Sequence, residues 1–106
     1  MILKHLIARL EDAYPEHIVR VGFNNPHSYR GYYEDLAFKP VENITVREML
    51  EAAKSALGCT FEGYKGGKFK MSEFSECWLA HWGERGEVIG NVLLDYMLNK
   101  VETKKA

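Results

Sequence analysis

Residues 23–38 read "FNNPHSYRGYYEDLAF". Asn24, Asn25, His27, Tyr29, Arg30 and Tyr32 crowd together there, broken by Pro26 and Gly31. Tyr and His rings offer a stacking plane for a base, worth about 1–3 kcal/mol per base. A guanidinium offers five donors in a planar fork that matches a phosphate. Asn amides can bond a base or ribose, and a glycine lets the backbone approach closely. The same mixture recurs at Tyr64 and Lys65 in "YKGGK" and at His81, Trp82 and Arg85 in "HWGER". All three segments fall at the ends of expected strands, so they can converge on one small nucleotide-like ligand. The alternative is a structured surface loop, with "NNP" forming a turn and the tyrosines packed on the domain.

Other patterns carry less chemistry. "GYKGGKFKMS" fails as a phosphate loop: Glu62 stands at the first glycine position and Phe69 where Ser or Thr is required. It reads as a hairpin turn, with Lys65 and Lys68 near exposed backbone N–H groups. Cys77 and His81 share a side of an expected strand, but four residues span roughly 13 Å, too far for a nucleophile–base pair. Cys59, Cys77, His27 and His81 lack zinc-like spacing, and no cofactor or metal is called for. The acidic pairs Glu11/Asp12, Glu34/Asp35 and Glu84/Glu87 read as solvated surface. No catalytic residue is assigned.

These residues need a scaffold. Leu3, Leu6, Ile7 and Leu10 predict a helix over 2–14, ended by Pro15. "HIVRVGF" at 17–23 reads as a strand, and "YEDLAFKP" as a second closed by Pro40. Thr45 and Glu48 form a capping box for a helix over 45–57. Its buried stripe is Val46, Met49, Leu50, Ala53 and Leu57, with Gly58 as C-terminal cap. Strands are expected at 59–64, 68–71 and 76–82, a turn at 83–87, a helix at 91–101 and a frayed tail at 102–106. The fold class is α+β: a mainly antiparallel sheet of about five strands, three helices packed on it, and one domain over 1–106.

The totals agree with that reading. The chain has 106 residues, 46% of them hydrophobic, which supports one core without metal or disulfide staples. A net charge of -1 disfavours duplex nucleic acid, which needs clustered cations. No apolar run reaches membrane-spanning length, and the first 16 residues do not read as a signal peptide. A reducing cytoplasm is the expected compartment.

Over residues 2–98, "NPHSYRGYY.DLAF", "TVREMLEAA", "GYKGGKFKM" and "WLAHWG" together resemble a family of small phage and prophage proteins. The nearest functional likeness is to the Thoeris anti-defence sponges, which capture cyclic ADP-ribose signals made by bacterial TIR-domain enzymes. That resemblance implies a multimeric protein of the host bacterial cytoplasm. It would bind such a signal, or a cyclic oligonucleotide, without catalysis. It assigns no binding residue to this chain. A different class of reading makes the domain an inhibitor of a host defence complex, with Trp78 and Trp82 as anchors. A small hydrolase fits least, for want of an acid–base pair.

The strand at 76–82 is apolar on both faces, with Trp78, Ala80 and Trp82 alternating with Cys77, Leu79 and His81. Helices on one sheet face leave the other to be covered by a second copy. Light scattering at micromolar concentration is therefore expected to give a multiple of 12.2 kDa, and a species at that mass counts against the homo-oligomer.

Overall fold

The computed structural model describes residues 1–102, with side chains described to residue 98. The expected tail therefore lies, beyond Glu102, outside the described residues. In chain order the elements are α1 (Leu3–Asp12), β1 (Ile18–Ser28), β2 (Leu36–Thr45), α2 (Val46–Ala56), β3 (Thr60–Glu62), β4 (Lys68–Lys70), β5 (Cys77–Leu79), β6 (Glu87–Val88) and α3 (Asn91–Glu102). No helix among the described residues is long and apolar enough to cross a membrane.

The class is α+β. A four-stranded sheet runs in the order β1-β2-β5-β6, and β3 and β4 form a separate hairpin. Every pairing is antiparallel except β2 with β5. That parallel pair follows from the chain path, because α2 and the hairpin intervene and supply the crossover that parallel strands need.

The first two strands are longer than the sequence suggests, and the loop between them shorter. β1 pairs with β2 from Ile18↔Thr45 to Asn24↔Lys39, slips at Asn25–Pro26, and resumes at His27↔Ala37. Asn25 takes a left-handed conformation (φ 53°), tolerated by Asn, and makes the bulge. "NNPHS" is therefore strand, and only residues 29–35 remain as loop. Pro40 sits in mid-strand opposite Phe23 instead of closing the strand. It withholds one ladder donor, yet pairing continues to Thr45.

α2 starts where its capping box directs. The Glu48 backbone N–H donates to Thr45 Oγ1 and the Thr45 N–H to Glu48 Oε1, both at 3.1 Å. Val46, Met49, Ala53 and Ala56 are buried. Leu57, expected in that stripe, is exposed, because the helix ends at Ala56 and Leu57 is already extended. Leu3, Leu6 and Leu10 of α1 join Phe23, Phe38, Met71 and Leu94 in the main core.

A smaller core holds Tyr29, Ala37 and Ala80 against Trp78. The expected strand over 76–82 keeps its ladder only at 77–79, although the Ala80 N–H still donates to the Phe38 carbonyl at 2.9 Å. Glu87, expected in a turn, pairs in β6 with Leu79. Gly86, just before it, has no room for a side chain. A Cβ there would lie 1.9 Å from the Leu79 carbonyl oxygen, a main-chain atom that cannot swing away. Gly86→Ala is expected to cost about 3 kcal/mol or more by forcing β6 off β5. Urea unfolding measures this, and a loss below about 1 kcal/mol would show that the close approach is not needed.

Candidate functional site

The loop over 29–35 is fastened at its ends. The Tyr29 N–H donates to the Asp35 carbonyl at 2.9 Å, and Ser28 Oγ donates to the Tyr33 carbonyl at 2.5 Å. Tyr29, expected to face a ligand, points inward instead. Its ring stacks on Trp78 at 4.1 Å and 9°. Its hydroxyl donates to the Gly86 carbonyl at 3.4 Å and accepts from the Gly86 N–H at 3.3 Å. Gly31 is required by that ring: a Cβ at Gly31 would lie 2.5 Å from it. The close approach expected of Gly31 is thus to Tyr29.

Arg30 is exposed. Its Nη1 donates to the Gly83 carbonyl at 2.8 Å. Its guanidinium carbon stands 5.0 Å from the centre of the Tyr64 ring, a cation–π contact. Tyr64 in turn meets Trp82 edge-on, with centroids 5.1 Å apart at 61°. The Tyr64 ring also lies against Gly83, where a Cβ would sit 2.5 Å from it and where φ is +83°. Only glycine satisfies both the conformation and the space. Three distant segments therefore meet at Arg30, Tyr64, Trp82 and Gly83. Tyr64 and Trp82 remain 43% and 48% exposed. Lys65, His81 and Arg85 are exposed and flank these residues in sequence.

The hairpin is held to the loop twice. Tyr33 stacks on Phe69 of β4 at 5.6 Å, with both rings beside Gly63 at the start of the turn, and Tyr64, the next residue, lies under Arg30. The tip is the expected glycine turn, with Gly66 and Gly67 both at positive φ.

Asn24, Asn25 and His27 are committed elsewhere. Asn24 Oδ1 accepts from the Asn25 N–H at 2.8 Å, and His27 Nδ1 donates to the Asn25 carbonyl at 3.0 Å. These bonds build the bulge, and among the described residues none joins the three to Arg30. Tyr32 lines a groove of about 440 Å³ with Glu34, Asp35, Lys68, Phe69, Lys70, Ser72, Phe74 and Ser75. The sequence pattern alone does not mark Gly83, Tyr33 or Trp78 as ligand-site residues. Only "HWG" before a charged turn hinted at Gly83.

The titratable groups differ in character. Burial pushes the Cys77 thiol up to about 12, so it stays protonated, while His81 is exposed. Burial raises the Asp35 carboxyl, although Trp78 Nε1, donating to it at 2.9 Å, opposes the shift. Among the described residues no three His, Cys, Asp or Glu side chains gather as metal ligands. Comparison with protein-family models, curated proteins and solved structures finds no match to this chain.

His27 gives a pH signature. Burial lowers its pKa below the ordinary 6.5, outweighing the bond to Asn25 and the nearby His81 main chain, which favour the proton. Among the described residues its buried Nε2 has no hydrogen-bond partner. The folded chain therefore binds this proton less readily than the unfolded chain, and stability falls as pH drops through the window just below 6.5. Asp35 has the opposite sign and acts nearer its ordinary 3.8. Urea midpoints at pH 7.5 and 5.5 should show the decrement in the parent chain and a smaller one in His27→Asn. Equal decrements would assign it to other groups.

Proposed function

We propose that the surface formed by Arg30, Tyr64 and Trp82 binds a small nucleotide-derived signal and sequesters it without turnover. The ligand class is a cyclic ADP-ribose isomer or a cyclic oligonucleotide, and the role is that of a phage anti-defence protein in the host cytoplasm. The observation that carries the reading is the convergence of three sequence-distant segments on one exposed aromatic–cationic surface. Arg30 spends one N–H on the Gly83 carbonyl, and that bond orients the guanidinium. The rest of its fork is left for a phosphate. Trp82 and Tyr64 supply ring faces and edges for a base, and Lys65 and Arg85 add cations on either side in sequence.

Binding without chemistry fits the titratable groups. The Cys77 thiol is buried and held protonated, and His27 is buried with its Nδ1 on the Asn25 carbonyl. Neither reaches a ligand on this surface to activate a nucleophile. In the same reading the chain works as a homo-oligomer, with copies presenting this surface together.

A thermal-shift panel of cyclic ADP-ribose isomers and cyclic oligonucleotides tests this. A ligand at a hundred times its Kd stabilises by about 2.7 kcal/mol, which is readily seen. Trp82→Ala should weaken binding roughly tenfold to a hundredfold with little change in the ligand-free melting temperature. Arg30→Lys can keep the contacts to Gly83 and Tyr64 but not the fork. It should lose about tenfold in affinity at nearly unchanged stability, whereas Arg30→Ala should lower both. A flat panel removes the nucleotide reading. Product recovered in place of intact ligand removes the sponge.

A further inference from the structure

The groove on the Tyr32 side of the loop is bounded by the three consecutive residues Lys68, Phe69 and Lys70 of β4 and by none of the β3 residues. Side chains along a strand alternate between faces, so three successive residues meet one groove along the strand's edge. The hydrogen-bond parity says which main-chain groups face it. The Met71 N–H donates to the Cys59 carbonyl at 2.8 Å, and the Gly63 N–H to the Gly67 carbonyl at 2.9 Å. These pairs bracket Thr60↔Lys70, Phe61↔Phe69 and Glu62↔Lys68. Hydrogen-bonded and non-hydrogen-bonded pairs alternate along an antiparallel ladder. Phe69 is therefore bonded to β3, and Lys68 and Lys70 turn their N–H and C=O groups away from it, toward the groove. Among the described residues these groups have no main-chain partner, and neither ammonium is in an ion pair.

We infer that this groove takes an extended peptide segment of a partner protein, added as a strand to the edge of β4. The two open backbone positions are one strand repeat apart, roughly 6.6 Å, the spacing of alternate residues in an extended chain. Lys68 and Lys70 stand at these positions and select the occupant. A second copy of β4 would set lysine against lysine, so the edge rejects its own kind. A segment with carboxylates at alternate positions places one beside each ammonium. The residue between them faces the Phe69 side. Across the groove stand the carboxylates of Glu34 and Asp35, which suit the basic end residues of the segment, and the exposed rings of Tyr32 and Phe74, 59% and 65% exposed. This surface is separate from Arg30, Tyr64 and Trp82, and the inference does not depend on a nucleotide being bound there.

The probe is a fluorescein-labelled, end-capped peptide of alternating valine and aspartate with a lysine at each end, titrated with the intact protein by fluorescence anisotropy. Saturable binding is expected, with Lys68→Ser and Lys70→Ser each weakening it roughly tenfold. N-methylation of one alternate set of peptide amides should abolish binding, and methylation of the other set should spare it, because an added strand faces β4 with every second residue. A peptide of the same composition with its aspartates adjacent should bind at least tenfold more weakly. No binding at millimolar peptide, or equal tolerance of both methylation patterns, overturns the inference. Competitive displacement of the peptide by the cyclic nucleotides also overturns it, by assigning the groove to a small ligand. The lysine variants lie on exposed edge positions, and circular dichroism verifies that they fold.

Discussion

The stack of Tyr29 on Trp78 holds the exposed chemistry in place. Two rings 4.1 Å apart and nearly parallel bury large apolar faces while their polar ends stay satisfied, Tyr29 at the Gly86 main chain and Trp78 at Asp35. Aromatic pairs of this kind contribute about 0.5–1.5 kcal/mol beyond the area they bury. Their larger effect is geometric. Tyr29 belongs to the loop, Trp78 to β5 and Gly86 to the turn before β6, so one cluster locks three segments. Arg30, the next residue, is thereby delivered to the Gly83 carbonyl. A guanidinium already held at one donor and laid over a ring loses less freedom when a second partner arrives, and this is the physical advantage of preorganisation.

Much of this scaffold is legible in the chain. The Thr45–Glu48 box marks the start of α2, and the Leu3–Leu6–Leu10 spacing marks α1. "KGGK" marks the hairpin, since its glycines take the positive φ that turns require. Placing the Arg30, Tyr64 and Trp82 segments at strand ends allows them to meet, but only contacts between distant segments decide that Arg30 and not Tyr29 faces Tyr64. Local pattern does not reveal which tyrosine turns inward. Tyr29 and Tyr32 are the same residue type in the same loop, yet one is buried and the other exposed. Simple alternation does not predict which β1 residues are buried: Val21 is exposed between the buried Val19 and Phe23, and the bulge at Asn25–Pro26 shifts the alternation by one residue beyond it. The parallel pairing of β5 with β2 is non-local, and nothing within three strand residues signals it.

The contacts that Arg30 makes in the fold need not compete with the binding role proposed for it. A hydrogen bond from a charged donor contributes about 1.5–3 kcal/mol, and a cation over an exposed ring about 0.5–1 kcal/mol. These contacts use one N–H and one face of the guanidinium. A phosphate approaching the remaining edge gains bonds of the same size without breaking them. Arg30 can therefore fix the loop in the ligand-free protein and still contribute most of its fork to binding. That compatibility rests on Gly83, because any side chain there would push Tyr64 out from beneath the guanidinium.

The hairpin of β3 and β4 has more at stake than the main sheet. A two-stranded hairpin is marginal in water without something to pack on. Its ring contacts with the loop over 29–35 are Tyr33 on Phe69 and Arg30 over Tyr64, both at the turn end. Phe61 and Phe69 also pack against the main core, so the core and the loop together set the hairpin's position and orientation. A ligand that touches both Arg30 and Tyr64 would tighten the turn, and a strand added to β4 would stiffen the hairpin along its free edge. Either event orders an element that the four-stranded sheet does not reach by backbone hydrogen bonds. Binding at either proposed surface would accordingly be coupled to hairpin order more than to the core of Phe23, Phe38 and the helices, which is already complete.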